Sequence, residues 1–207
     1  MRYLLFILSV IMLFSFSCGD DWRPEFAVIV DCDWLSQQPE DGLNPNKNCG
    51  PTVLVMAVAC IEKYQPEYDE VNALIDWMGD NVDSYDDIGE NDTSISQLEE
   101  AAKGYYGIFA DSFYETSSLL DLTSLLDLYG DLQRGFPVLV AVPSQKGNAT
   151  DVMKEGNGHF MLLIGMTPTH VILHDPGPWD ASLGRAHEYT IDSFDALWNR
   201  AGIRFLH

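Results

Sequence analysis

The sequence predicts an α+β fold in which a buried central helix lies on an antiparallel sheet, and three observations lead there. The stretch from Val53 to Ile61 is almost wholly apolar, so a helix formed by it must be covered on every face. Helical periodicities come first along the chain and short β-rich runs come second, a segregation that marks α+β rather than alternating α/β architecture. Finally, the apolar runs 160–164 and 171–173 are joined by a short turn holding Gly165, Thr167 and Pro168, which pairs them antiparallel.

The elements follow in order. Phe26-Ala27-Val28-Ile29-Val30 reads as a strand leading into Cys32, Trp34 and the pair Gln37-Gln38, after which Pro39, Gly42, Pro45 and Asn46 mark a loop. Pro51 suits a first helical turn, where its missing N–H is not needed, and the apolar helix should run to about Tyr64, ahead of Pro66. Val71, Leu74, Ile75 and Met78 recur at helical spacing and predict an amphipathic helix from about Glu67 to Met78. Ser94 and Gln97 have capping-box spacing and open a short helix through Leu98, Ala101 and Ala102 that Gly104 stops. Another helix is expected from about Leu119 to Arg134, closed by Gly135, and Pro137 then sets up a strand at 138–142. Strands follow at 159–164, 170–174 and 188–191. Asp192 or Ser193 caps a short helix carrying Phe194, Leu197 and Trp198, and 203–206 forms the last strand.

The amino-terminal segment, Arg2 followed by an apolar run from Tyr3 to Phe14, reads as a secretory signal over residues 1–17 and not as a spanning helix. A cysteine ends the run and Gly19-Asp20-Asp21 follows, so the segment resembles a bacterial lipoprotein signal with Cys18 as the acylated residue. The expectation is an exported protein, held at the membrane through acylated Cys18 or through an uncleaved signal, or else secreted after ordinary cleavage. Residues 18–207, about 190 of them, suffice for a single domain with a sizeable core. The chain sets 11 Lys and Arg against 32 Asp and Glu, a formal charge of −21, which argues against nucleic acid as a partner. The acidic run containing Asp80, Asp83, Asp86, Asp87, Glu90 and Asp92 lacks the alternating ligands of an EF-hand and reads as a solvated loop; no metal is expected.

With Cys18 assigned to the signal, Cys32, Cys49 and Cys60 remain, an odd count that suggests one free reactive thiol in an exported protein. Cys60 cannot bridge to Cys49 on one straight helix, because eleven residues at about 1.5 Å rise hold them some 16 Å apart. Cys32 and Cys60 either form a disulfide or pack as two small hydrophobes.

Cys49 stands in Asn48-Cys49-Gly50-Pro51-Thr52, at the start of the buried helix. Unpaired N–H groups give a helix N-terminus partial positive charge, which favours thiolate over thiol and makes Cys49 a candidate nucleophile. A nucleophilic cysteine needs a base, and among five histidines His159 stands out between Gly158 and the apolar run from Phe160. If the following turn centres on Thr167, His159 faces Asp175 across the hairpin, so Asp175 can orient the ring and leave its other nitrogen for Cys49. His174, on the opposite face of the same strand, is the weaker candidate. An oxyanion formed by attack on an amide needs donors, and the Cys49 N–H together with Gln37 or Gln38 could supply them.

These residues resemble a known family. Ser36-Gln37, then Cys49-Gly50-Pro51-Thr52, then Gly158-His159-Phe160, then Leu173-His174-Asp175-Pro176 are similar in kind and order to the papain-like cysteine peptidases of the bacteriocin-leader (double-glycine) processing type, specifically to their stand-alone relatives. The stretch from Leu132 through Pro137 to Val140 resembles the strand before the histidine in that family, and Tyr189 to Trp198 its C-terminal segment. The chain carries no Walker A sequence and no membrane-spanning bundle, unlike the transporter-linked members. The resemblance implies a papain-like fold, Cys49 as nucleophile, His159 as base, Asp175 as its orienter and Gln37 in the oxyanion hole. It implies a monomeric peptidase acting on a peptide or protein without metal or organic cofactor. Two other outcomes use the same residues or fold: acyl transfer to an amine, and a non-catalytic module that binds peptide or cell-wall material. The long loop between Pro143 and Gly158 is placed to shape the substrate cleft.

Overall fold

The computed structural model describes residues 23–37, 48–83, 85, 93–114, 125–143, 158–177, 181–198 and 200–206. The expected signal segment with Cys18, Gln38, most of the acidic loop and the interior of the 143–158 loop lie outside the described residues.

Among the described residues thirteen elements follow one another: β1 (Val28–Ile29), α1 (Cys49–Glu62), α2 (Tyr68–Asn81), α3 (Ile95–Gly104), β2 (Ala110–Phe113), α4 (Leu125–Gln133), β3 (Val138–Pro143), β4 (Gly158–Met166), β5 (His170–His174), α5 (Ala181–Gly184), β6 (His187–Thr190), α6 (Ile191–Leu197) and β7 (Gly202–Phe205). The strands form one antiparallel sheet in the order β2-β7-β3-β4-β5-β6, with β1 paired to the far end of β4. Every residue of α1 from Gly50 to Cys60 is buried, as its unbroken apolar sequence requires. The helix packs on β3 and β4 and is flanked by α2 and α3. Burying so many aliphatic side chains, each contributing about 1.5–3 kcal/mol, makes α1 the axis of the core.

Local signals account for the other boundaries. The capping box at α3 is formed: the Gln97 N–H donates to Ser94 Oγ, and Gln97 Oε1 accepts from the Ser94 N–H. Helix α6 starts earlier than the sequence suggests. Thr190, not Asp192 or Ser193, is the cap, its hydroxyl accepting the Ser193 N–H, because this lets the strand β6 run directly into the helix. Strand β2 has no counterpart in the sequence reading: Ala-Asp-Ser-Phe has little β propensity, and it is a strand because β7 pairs with it. The short helix α5 was likewise not anticipated.

The hairpin of β4 and β5 departs from the expected register. Met166 faces Val171 and Gly165 faces Ile172, but beyond Ile164 the partners become Leu163 with Leu173 and Leu162 with His174. Ile164 is an extra residue, a bulge that shifts the ladder by one. Extended past the end of β5, this register sets Asp175 level with Met161, so His159 and Asp175 do not face each other directly.

Cys32 and Cys60 are joined by a disulfide with Cα atoms 4.8 Å apart, which ties the segment after β1 to α1. Asp131, fully buried in α4, accepts both a side-chain N–H of Arg204 at 3.0 Å and the Arg204 Nε–H at 2.5 Å, and it also pairs with Arg134; the cluster joins α4 to β7.

Candidate active site

Cys49 is the first residue of α1 and is only partly buried. No side chain caps this helix and no acidic residue lies in its first turn, so its positive end is not neutralised from within. Pro51 has no N–H to offer, which leaves Cys49 and Gly50 as the donors of the opening turn. Gly50 is needed for space: a Cβ there would lie 3.1–3.2 Å from Leu98, Phe160 and Thr93, the shell that seats the thiol's helix on β4.

His159 is the second residue of β4 and meets Asp175 just beyond β5, with Nε2–H donating to Oδ1 over 2.7 Å. The bulge makes this possible. Were Ile164 paired with Leu173, the turn-end register would continue and put Asp175 on the opposite face from His159; leaving Ile164 unpaired shifts the ladder by one and returns both to one face, two positions apart on the diagonal. Asp175 is held at four points. Its N–H donates to the Gly184 carbonyl at 2.8 Å, its carbonyl accepts Trp34 Nε1–H at 2.7 Å, and Oδ1 accepts the Gly177 N–H at 2.8 Å in addition to the imidazole. With Nε2 committed to Asp175, Nδ1 is the nitrogen left for Cys49, which lies near enough to act on the ring's protonation. Burial works to lower the His159 pKa, but the Asp175 and Cys49 hydrogen bonds and charges outweigh it and raise it to about 10. The site therefore favours an imidazolium at neutral pH.

Gln37 is buried, and its main chain spans the gap between the two halves of the site. Its N–H donates to the carbonyl of Pro176, next to Asp175, at 2.8 Å, while its carbonyl accepts the Tyr68 hydroxyl at 3.4 Å. The same hydroxyl accepts from Asn48 Nδ2 at 2.5 Å, and Asn48 immediately precedes Cys49.

A sequence profile described as the Peptidase_C39 like family matches residues 29–204. The chain belongs to this family. Among solved structures, a protein described as a C39-like peptidase from Bacillus anthracis is 15% identical, with a TM-score of 0.59 over 89% of this chain and 98% of that one. The peptidase domain of Streptococcus ComA, a bi-functional ABC transporter involved in a quorum-sensing pathway, is 18% identical, with a TM-score of 0.54 over 83% of this chain and 96% of that one. These likenesses show a shared C39 peptidase fold. Among curated proteins, none matches significantly.

In this C39-like chain the remaining histidine near the site, His174, is structural. It is buried, its Nδ1 accepts the Ala186 N–H and its Nε2–H donates to the Cys32 carbonyl, both at 2.9 Å. Burial lowers its pKa, so it is held neutral with both nitrogens used. Four residues at the site were not given a role by sequence: Trp34 and Gly184, which grip the Asp175 backbone, Tyr68, which donates to the Gln37 carbonyl, and Asn48, which donates to Tyr68. Tyr68 alone carried a hint, since it continues the buried stripe of Val71, Leu74 and Met78 back by one turn while ending in a hydroxyl.

Proposed function

We propose that this C39-like protein is an exported cysteine peptidase in which Cys49, His159 and Asp175 form the catalytic triad and Gln37 completes the oxyanion hole. The observation that supports this reading most is the 2.7 Å contact by which Asp175 fixes the imidazole of His159, in a fold that places the free thiol of Cys49 at an uncapped helix start.

The Cys49 thiolate attacks the carbonyl carbon of a peptide bond, forming a C–S bond and a tetrahedral oxyanion that the Cys49 N–H and the Gln37 amide stabilise. Collapse of this intermediate breaks the C–N bond; the imidazolium of His159 gives its proton to the departing amine and a thioester remains. Water then attacks the thioester while His159 takes its proton. Collapse releases the carboxylic acid and restores thiolate and imidazolium. Asp175 keeps the ring in the tautomer and orientation that both steps use.

Export is supported by the amino-terminal sequence and by the Cys32–Cys60 disulfide, which suits a compartment outside the cytoplasm. Anchoring through Cys18 is tested by labelling cells with a fatty acid, a label that should vanish in Cys18→Ser. The chemistry is tested by iodoacetamide alkylation of Cys49 against pH in the parent and in His159→Ala. Fast alkylation at neutral pH that disappears in the variant supports the triad; an ordinary slow thiol titration in both would sink it. Peptide mixtures incubated with the parent and with Cys49→Ala then identify what is cleaved.

A further inference from the structure

We infer that Tyr68 is a positioning residue for the oxyanion site, holding the Gln37 main chain against the start of the Cys49 helix. The inference rests on the peptidase reading above and assigns a task to a helix, α2, that otherwise serves as scaffold.

Gln37 reaches the site from a segment fixed upstream by the Cys32 disulfide and by Trp34, and its own N–H is anchored on the Pro176 side. Its carbonyl is held from the opposite side by Tyr68. The Tyr68 hydroxyl has one proton to give and lone pairs to receive, and both capacities are used: it donates to Gln37 and accepts from Asn48. The result is an unbroken run of contacts from Asp175 through Pro176, Gln37, Tyr68 and Asn48 to Cys49, linking base side to nucleophile side across the place where an oxyanion would form.

Tyr68 does this from a fixed base. It is the first residue of α2, half-buried and packed against the core that Val71, Leu74, Ile75 and Met78 enter one turn and more along the helix. Its second contact also matters. Asn48 occupies the position from which a side chain ordinarily caps a helix, yet makes no cap and gives its amide to Tyr68. Removing the hydroxyl would loosen Gln37 and release Asn48 toward the Gly50 N–H, beside the thiol.

Two reactions of Cys49 separate this role from general damage. Acylation by p-nitrophenyl acetate passes through a tetrahedral oxyanion and releases p-nitrophenolate, whereas alkylation by iodoacetamide displaces iodide at carbon and forms no oxyanion. Tyr68→Phe should slow acylation by roughly tenfold to a hundredfold, below the roughly hundredfold to thousandfold of an oxyanion donor lost outright because the donor is displaced and not removed, and leave alkylation within about twofold. Gln37→Ala should slow acylation at least as much, and adding Tyr68→Phe to it should cost little more, because both act on one contact. Asn48→Ala, which removes the second partner, should also lower acylation preferentially. Parental acylation in Tyr68→Phe, or equal loss of both reactions with a lower melting temperature, would overturn the inference. A parent that acylates no faster than Cys49→Ala would overturn the peptidase reading along with it.

Discussion

His159 and Asp175 meet on a diagonal of the β4–β5 hairpin, two residues away from facing, and the extra residue Ile164 is what brings them to one face. The same contact governs the pH behaviour expected of the protein. In the proposed mechanism the active pair is thiolate and imidazolium, so activity should fall on the alkaline side as pH climbs through the raised pKa of His159, about 10. Asp175 is one of the groups that raise this value. Asp175→Asn should therefore move the alkaline limb to lower pH and slow acylation by roughly tenfold or more, measured as p-nitrophenolate release across pH.

The two buried histidines bias stability in opposite directions. His159 is raised from 6.5 on folding, so its contribution is fully present below 6.5 and is lost as pH climbs through about 10. His174 is lowered, so its contribution is present above 6.5 and is lost as pH falls through its depressed value. Urea midpoints measured against pH should decline on both sides. His174→Gln should lose about 1–3 kcal/mol at neutral pH, since the Ala186 N–H or the buried Cys32 carbonyl goes unmet, while its acid-side decline becomes shallower.

The Cys32–Cys60 disulfide closes a separation of 28 residues, for which the chain-entropy argument gives about 3–4 kcal/mol. Cys32→Ala with Cys60→Ala should lower the urea midpoint accordingly. Acylation should suffer more than alkylation, because Cys32 lies on the segment that delivers Gln37.

Two glycines should separate site from scaffold. A Cβ at Gly184 would stand 2.5 Å from the Asp175 carbonyl oxygen and 2.8 Å from Trp34 Nε1, so Gly184→Ala must displace the orienter of His159. A Cβ at Gly202 would stand 2.1 Å from the Leu139 carbonyl oxygen, where β7 pairs with β3. Gly184→Ala should depress acylation and narrow its pH range with a modest change in melting temperature. Gly202→Ala should cost about 2 kcal/mol or more of stability, read from urea unfolding.

The sequence was informative where chemistry and periodicity coincide in a few neighbouring residues. Cys49 at the head of an apolar run, and His159 before another, could be picked out because each sits where a buried element begins. The pairing of His159 with Asp175 was anticipated through a register two residues off; parity survived because the turn lies farther along than Thr167 and the Ile164 bulge compensates. Nothing local announces such a bulge. Strand β2 and the grips of Trp34, Gly184 and Tyr68 were illegible for a related reason: each depends on a partner distant in the chain, and no periodicity records who that partner is.

Helix α1 carries two cysteines with opposite fates, Cys60 in a bond and Cys49 as a free thiol. Because the helix is rigid and buried along its length, its formation settles which sulfurs can meet. If α1 assembles before oxidation, Cys60 is already out of reach of Cys49 and faces the strand-side partner Cys32. Oxidation then needs no isomerase to correct a Cys49–Cys60 crosslink, and among the three cysteines of the described residues the mispairing that still competes is Cys32 with Cys49.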